Sequence, residues 1–216
     1  MSGLAWALLA VYAVVSGTFL VADARSMTGL RVATKPLLMA SLLAFYLVAA
    51  PHINLLIVLA LVFSLAGDTL LLSSKTVWFV LGGIGFLLAH ITYVCAFAAD
   101  IQAARLTPWV ALIVVPYVVA TVWLLRKVRP GVGKMKAPTI AYLATLDLMG
   151  IAAFLRFWST GSMPALVTFI GSLVFLVSDF WLTHDRYCPR TRYGDVVVML
   201  TYCAGQLLIV GGYVLT

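Results

Sequence analysis

The chain has 216 residues, of which 64% are hydrophobic and only 10% are charged, and its mean hydropathy is +1.11. A soluble domain of this length cannot bury so much apolar surface, so the composition predicts a single integral membrane domain over residues 1–216. The net charge is +7, and the basic residues lie in short stretches between apolar runs. This pattern favours membrane lipids with anionic headgroups as partners and argues against nucleic acid.

Apolar stretches of membrane-spanning length recur along the chain and predict an all-α polytopic protein with eight transmembrane helices and no strands. The second and third stretches are separated only by residues 51–54, where Pro51 breaks the helical pattern and indicates a tight helical hairpin. The first stretch lacks a basic leading region, so we expect a retained helix rather than a signal peptide. The expected helices are 4–22, 36–50, 53–72, 77–99, 108–125, 138–155, 163–183 and 195–215.

The basic residues are divided unevenly between the two sides of this arrangement. All Lys and Arg residues except Arg105 and Arg156 fall in or beside the connections between helices 1–2, 3–4, 5–6 and 7–8. The positive-inside rule then predicts that these connections are cytosolic and that both termini lie outside. The compact loops are typical of a bacterial inner-membrane protein.

Two stretches of the chain resemble each other, and each carries an aspartate within an apolar run. Residues 61–72 read LVFSLAGDTLLL and residues 173–182 read LVFLVSDFWL. Other similar pairs of short motifs are separated by about 102 to 111 residues, which indicates a parallel duplication of two four-helix halves. The halves are expected at about 1–105 and 106–216.

Asp68 and Asp179, the aspartates of these two stretches, are the strongest candidates for function. An ionised carboxylate near the centre of a membrane helix costs about 2.5–3.5 kcal/mol on insertion scales, so such residues usually have a role. Each is expected about four residues before the cytosolic end of its helix, roughly 6 Å below the interface, where both would face one pocket. The alternative, that each reaches the headgroups or bonds a neighbouring helix, stays open.

Further polar residues are expected in the same interior. His90 and Tyr93 are three residues apart in helix 4, and Tyr202 and Gln206 are four apart in helix 8, so each pair shares a helix face. A single histidine is expected within the spans, which excludes a three-histidine zinc site and a bis-histidine haem.

Two other charged residues have open interpretations. Lys35, expected at the cytosolic start of helix 2, either binds a phosphate or anchors the helix among the headgroups. Asp147, in the middle of helix 6, is costly to bury and is expected to pair with His90 at similar depth.

Five short motifs in series resemble the pattern of the YhhN-like lysoplasmalogenases and cover nearly the whole chain. They are Lys35-Pro36-Leu37, Phe63-Ser64 with Gly67-Asp68, His90-x-x-Tyr93, Gly171-Ser172 with Ser178-Asp179, and Tyr202-x-x-x-Gln206-Leu207-Leu208-Ile209. The resemblance implies a multi-span enzyme that hydrolyses the vinyl-ether bond of lysoplasmalogens to a fatty aldehyde and glycerophospho-ethanolamine or -choline. Asp147 lies outside this pattern.

The implied chemistry agrees with the buried aspartates. Hydrolysis of an enol ether needs a proton delivered to carbon and a group that stabilises the resulting oxocarbenium ion, as in glycosidases with two carboxyl groups. Asp68 and Asp179 suit these catalytic roles, with either one as the acid, and no metal or organic cofactor is required. The resemblance implies a substrate pocket for the lysophospholipid, with Lys35 at its phosphate. The pocket residues would be Lys35, Ser64, His90, Tyr93, Ser178, Tyr202 and Gln206.

Two other functions fit part of the pattern. A small proton-coupled secondary transporter would also show repeated halves and buried aspartates, but its site should lie at the midplane with access from both sides. A lipid-binding protein without turnover would not need two matched carboxyl groups. The depth of the aspartates therefore favours the enzyme.

Overall fold

The computed structural model describes residues 1–73 and 75–216, which fold into eight α-helices without a strand. The all-α fold predicted from the sequence is confirmed for these residues. The helices are α1 Gly3–Ala24, α2 Thr28–Ala49, α3 Leu55–Leu70, α4 Thr76–Ala99, α5 Val114–Val132, α6 Lys136–Thr160, α7 Met163–Tyr187 and α8 Gly194–Val214. Short 3-10 segments occupy Ala103–Arg105, Pro108–Ile113 and Gly133–Met135.

Six helical segments of the described chain are long and apolar enough to cross a membrane. One of them, Pro108–Thr160, contains both α5 and α6, while α3 is a shorter apolar helix of 16 residues. Large apolar side chains such as Val14 and Val119 remain exposed on the outside of the bundle, as expected where lipid is the solvent. The protein is therefore an integral membrane protein, and the count of eight crossings stays a prediction.

The chain reverses direction between α5 and α6 although no coil separates them. Thr121 on α5 donates a 2.7 Å hydrogen bond to Asp147 on α6, and a Cβ added at Gly150 would collide with the ring of Tyr117. These contacts require the two helices to run antiparallel. The reversal occurs at Gly133, whose φ of +47° lies in the region that glycine adopts without steric penalty.

Several helices extend beyond the apolar stretches that predicted them. α2 begins at Thr28, so Pro36 lies inside the helix, as membrane helices tolerate, and the expected start at residue 36 was wrong. α7 continues to Tyr187, so His184 lies in its last turn rather than in a loop. Hydropathy marks the lipid-embedded part of a helix, whereas the backbone hydrogen bonds propagate into the polar segment beyond it.

The two ends of the bundle differ in charge. The connections that follow α1, α3, α5 and α7 lie at one end, which we call the basic end; their described residues are 25–27, 71–73 with 75, 133–135 and 188–193. At the opposite end, the buried Arg156 bonds Asp100 at 2.8 Å and Thr168 at 3.1 Å. The ring of Tyr213 lies 4.4 Å from the same guanidinium. This arrangement agrees with the uneven division of basic residues read from the sequence.

Glycines allow two close helix crossings near the candidate site. At Gly205 on α8 an added Cβ would lie 2.8 Å from the backbone nitrogen of Phe175 and 3.0 Å from the carbonyl oxygen of Gly171. At Gly85 on α4 it would lie 3.1 Å from the backbone of Gly67 on α3. Such small residues let membrane helices approach backbone to backbone. These crossings hold α3 against α4 and α7 against α8, the helices that carry most of the candidate site.

Candidate functional site

Asp68 is a buried carboxyl group with partners from two other helices. Its Oδ2 accepts a 2.7 Å hydrogen bond from the hydroxyl of Tyr202 on α8. Its Oδ1 lies 3.8 Å from the ammonium nitrogen of Lys35 on α2, which is itself largely buried. Lys35 lies inside α2, one residue before Pro36, and not at the start of the helix as expected. Asp68 therefore has one hydrogen-bond donor and one cation beside it.

A network of side-chain hydrogen bonds lies next to Tyr202. Gln206, one helical turn further along α8, donates from Nε2 to the Ser64 hydroxyl at 3.1 Å. The same Gln206 accepts at Oε1 from the hydroxyl of Tyr93 at 2.6 Å. Ser64 on α3, Tyr93 on α4 and Gln206 on α8 thus form one buried hydrogen-bond network.

Asp179 forms the other acidic centre. The hydroxyl of Tyr142 on α6 donates a short hydrogen bond to its Oδ2. His90 Nε2 lies 3.5 Å from the same oxygen, but its alignment does not make a hydrogen bond, and within the described residues neither ring nitrogen has a partner. The imidazole is fully buried and packs edge-on against Tyr142 and Phe175, each with ring centroids 5.2 Å apart.

One aromatic ring separates the two acidic centres. Phe175 packs edge-on against His90 beside Asp179 and against Tyr202 beside Asp68, the second pair at 5.5 Å between centroids. Their positions along the helices differ, because Asp68 lies two residues before the end of α3 and Asp179 lies eight before the end of α7. The expectation of equal distance from the helix end was wrong, since α7 is longer than its apolar stretch, yet both carboxyl groups lie in one cluster.

A cavity of about 180 Å³ lies beside this cluster, between α4, α6 and α7 at the basic end. Two of its wall residues contact the acidic centres: Tyr142 bonds Asp179, and Phe86 packs edge-on against Tyr202. Its lining residues are mostly apolar and are Leu71, Phe79, Val80, Gly83, Ile84, Phe86, Leu87, Met135, Pro138, Thr139, Ala141, Tyr142, Leu182, Thr183, Arg186 and Tyr187.

Two expectations about individual residues fail or change. Asp147 does not pair with His90: its Oδ2 accepts from Thr121 on α5, because its side chain faces the α5–α6 contact. Ser178 donates its hydroxyl to the carbonyl oxygen of Val198 on α8 at 2.9 Å, so it ties two helices together.

The sequence patterns did not identify Tyr142, Phe175 and Arg186 as residues of the site. Tyr142 and Arg186 lie outside the two similar stretches, and Phe175 lies within the stretch 173–182 but carries no charge. A tyrosine or phenylalanine in an apolar run looks like ordinary core. The approach of α6 to α7 gives Tyr142 its role, and no local pattern encodes that approach. A partial signal was available for Tyr142, whose hydroxyl needs a partner when buried in hydrocarbon.

The fold and the site define a polytopic helical membrane protein that holds two tyrosine-bonded carboxyl groups beside an apolar cavity. The chain belongs to the YhhN family, whose model matches residues 30–213. This membership confirms the family resemblance seen in the five motifs.

Several relatives of this chain have been named. It is 30% identical over 157 residues to a lysoplasmalogenase of Mycobacterium bovis, covering 71% of this chain and 58% of that protein. It is 28% identical to a lysoplasmalogenase of Bos taurus, and the match covers 71% of this chain and 62% of that protein. It is also 28% identical to the uncharacterized membrane protein YhhN of Escherichia coli O157:H7, and this match covers 88% of this chain and 89% of that protein. The chain thus spans about three fifths of the length of the first two relatives, and no solved structure matches it.

Proposed function

We propose that this protein is a lysoplasmalogenase, which hydrolyses the vinyl-ether bond of a lysophospholipid to a fatty aldehyde and a glycerophospho-base. The observation that carries the proposal is the pair of carboxyl groups, Asp68 and Asp179, each bonded by a tyrosine and separated by one aromatic ring beside an apolar cavity. The named relatives support the same reaction class at the level of the family.

The surroundings of the two aspartates favour different roles. Asp68 has Lys35 beside it, and a nearby ammonium compensates the charge of a carboxylate. Asp179 has no lysine or arginine within ion-pair distance in the described chain, and Tyr142 occupies only its Oδ2. We therefore assign Asp179 as the proton donor and Asp68 as the carboxylate that faces the developing positive charge.

The reaction then proceeds in steps that conserve atoms and charge. Asp179 transfers its proton to the outer carbon of the double bond, leaving an oxocarbenium ion at the carbon bound to oxygen. Water attacks that carbon and gives a proton to Asp68. The product of this addition is a hemiacetal. The hemiacetal gives its hydroxyl proton to Asp179 while Asp68 returns its proton to the glycerol oxygen, and the carbon–oxygen bond breaks to release aldehyde and alcohol. Both carboxyl groups are then back in their starting protonation states.

The remaining polar residues have supporting roles in this proposal. The network of Gln206, Tyr93 and Ser64 orients the attacking water, because it places hydroxyl and amide groups next to the Tyr202–Asp68 pair. Lys35 lies at Asp68, so we propose that it acts on this carboxylate instead of the lipid phosphate.

We further propose that the chain crosses the membrane eight times as two duplicated four-helix halves. The basic end then faces the cytosol of a bacterial cell and both termini lie outside, as the positive-inside rule requires. At the opposite end Arg156 is buried and contacts Asp100, Thr168 and Tyr213, which supports the proposal that the acidic centres have access from the basic end only. This one-sided access argues against a transporter.

The test is aldehyde release by the purified protein in detergent. Lysoplasmenylethanolamine should yield fatty aldehyde, whereas the saturated 1-alkyl analogue, which has no double bond to protonate, should be inert. In D₂O the aldehyde should carry one deuterium at the carbon next to the carbonyl, because the proton added there comes from solvent. No aldehyde from any vinyl-ether lysolipid would refute the proposal.

A further inference from the structure

Arg186 is a cation at the mouth of the cavity that the proposed mechanism leaves without a role. It lies on the last turn of α7 at the basic end, exposed to solvent, and its guanidinium lies 3.9 Å from the ring of Phe79 on α4. No carboxylate of the described residues forms an ion pair with it. Its donors are therefore available for an anion, with Phe79 fixing the guanidinium plane.

The position of Arg186 fits the length of a glycerophospholipid headgroup. Arg186 follows Asp179 by seven residues on the same helix, a rise of about 10 Å. The arginine side chain is long enough to shorten this separation. The glycerol backbone puts only a few bonds between a phosphate and the ether oxygen, so both ends of one lysolipid can be engaged together.

The cavity between these two points is suited to an alkyl chain. Half of its lining residues are leucine, valine, isoleucine, phenylalanine or methionine, and Arg186 is the charged one among them. Beside the mouth the hydroxyls of Thr139 and Tyr187 share a 3.1 Å hydrogen bond. An apolar cavity with one cation and a pair of hydroxyls at its entrance matches a ligand that joins an anionic head to an apolar tail.

We propose that this cavity is the lysolipid subsite: Arg186 binds the phosphate, and the start of the alkenyl chain lies against Phe86 and Tyr142, next to both acidic centres. The inference rests on the proposed function for the identity of the lipid. In this proposal Arg186 binds the lipid phosphate, and Lys35 does not, because Lys35 lies at Asp68.

The first experiment compares Arg186→Gln with a matched control, Arg192→Gln. Arg192 is an exposed arginine in the adjacent connection that does not line the cavity. Loss of a charged hydrogen bond should raise KM for lysoplasmenylethanolamine about 10- to 100-fold in Arg186→Gln and leave Arg192→Gln unchanged. Hydrolysis of 1-alkenylglycerol, which has no phosphate, should be equally fast in all three proteins.

Arg186→Lys should recover most of the affinity, since it keeps the charge without the bidentate geometry. An unchanged KM in Arg186→Gln, or an equal loss with both substrates, would overturn the phosphate assignment. If free inorganic phosphate at millimolar concentration competes as well as a saturated lysolipid, the site binds phosphate alone and the lipid subsite is wrong.

A second variant tests the apolar part of the cavity. Gly83 lines it, and an added Cβ would meet no atom within 4 Å, so Gly83→Leu should fold normally and fill the space. Gly17→Leu on α1 is the control, with equally open surroundings outside the cavity. Gly83→Leu should lower kcat/KM for long-chain substrates at least 10-fold, and activity equal to that of Gly17→Leu would overturn the chain assignment.

A binding measurement separates failure of this site from failure of the proposed function. The saturated 1-alkyl lysophosphoethanolamine cannot be hydrolysed but should bind the wild type and shift its thermal midpoint upward, with at least 10-fold weaker binding in Arg186→Gln. Arginine-dependent binding without any aldehyde release would refute the reaction and keep the subsite. Aldehyde release with binding unaffected by Arg186→Gln would refute the subsite and keep the reaction.

Discussion

The tyrosine partners distinguish Asp68 and Asp179 from Asp147, another buried aspartate. Asp68 accepts from Tyr202 and Asp179 from Tyr142, both phenols that come from a different helix. Asp147 instead accepts from Thr121 on the neighbouring helix and leaves its Oδ1 without a partner in the described structure. A hydrogen bond from a phenol fixes the direction of the carboxyl group, which a catalytic acid or base requires.

Removal of either phenol should slow catalysis without unfolding the protein. Tyr202→Phe and Tyr142→Phe each delete one hydrogen bond to a carboxyl group, so we expect kcat to fall about 10- to 100-fold with a small change in KM. Tyr12→Phe is the control, because its hydroxyl donates to the carbonyl oxygen of Cys203 and touches neither aspartate. Aldehyde release by detergent-purified variants measures the effect. Equal rates in all three variants would show that the phenols only pack.

Asp147→Asn should retain near-normal aldehyde release, because the α5–α6 contact keeps this residue away from both acidic centres. The amide oxygen can still accept from Thr121, and the variant no longer buries a carboxyl group with an unpartnered oxygen. The thermal midpoint should therefore stay equal or rise. A large loss of activity at an unchanged midpoint would show that Asp147 takes part in the reaction.

The sequence identified part of this site through residues that repeat or share a helix face. Asp68 and Gln206 were found because charged or amide groups in apolar helices are conspicuous, and Tyr202 because it shares a helix face with Gln206. The partners of Asp179 were found only in part: His90 was named, but its contact was expected to be Asp147. Which helix faces which neighbour depends on packing between distant segments, and hydropathy carries little information about that.

At the scale of the helices, close crossings position the acidic centres. The α7–α8 crossing places Phe175 next to Tyr202, and the α3–α4 crossing holds the helices of Asp68 and His90 together. The motif glycines Gly67 and Gly171 lie at these crossings. Their appearance in the family pattern therefore has a packing explanation.

A methyl group at the α7–α8 crossing should separate the helices. The Cβ of Gly205→Ala would press on the backbone at Phe175 and Gly171, so we expect a loss of about 1–3 kcal/mol and reduced activity. Gly211→Ala, on the same helix with nothing within 4 Å, should be neutral or more stable by about 0.5–1 kcal/mol. Thermal unfolding in detergent compares them. Equal midpoints would mean that the crossing tolerates extra volume.

Helix boundaries were the weakest sequence prediction at this scale. The start of α2 at Thr28 and the end of α7 at Tyr187 both lie in polar segments beyond the apolar stretches. The short α3 ends at Leu70, inside its apolar run. Depth inferred from distance to a helix end was consequently unreliable, whereas the contacts between side chains placed the carboxyl groups together.

For the whole molecule, composition and charge were sufficient to predict an all-helical membrane protein. The separation of Arg156 from most of the other basic residues follows from the chain reversals alone, including the reversal at Gly133. The order of helices around the bundle could not be predicted, because several arrangements bury the same apolar faces. The contact of α6 with both α4 and α7, which encloses the cavity, is one such choice.

The proposed orientation can be tested with reporter fusions. Alkaline phosphatase, which is active only outside the cytosol, should be active when fused after Thr216 and inactive when fused within the connection 188–193. A green fluorescent protein fused at the same two positions should give the opposite pattern. Fluorescence from both fusions would show that α8 does not cross the membrane, and fluorescence from the C-terminal fusion alone would show that the orientation is reversed.

The central claim, that two carboxyl groups share one reaction, is tested most directly by single amide substitutions. Asp179→Asn and Asp68→Asn keep the shape of each side chain and remove its acid–base function, so each should lower kcat for lysoplasmenylethanolamine about 10²- to 10⁴-fold. Aldehyde release should be measured in detergent at matched thermal stability. Wild-type turnover in either variant would contradict the account, because one carboxyl group would then suffice.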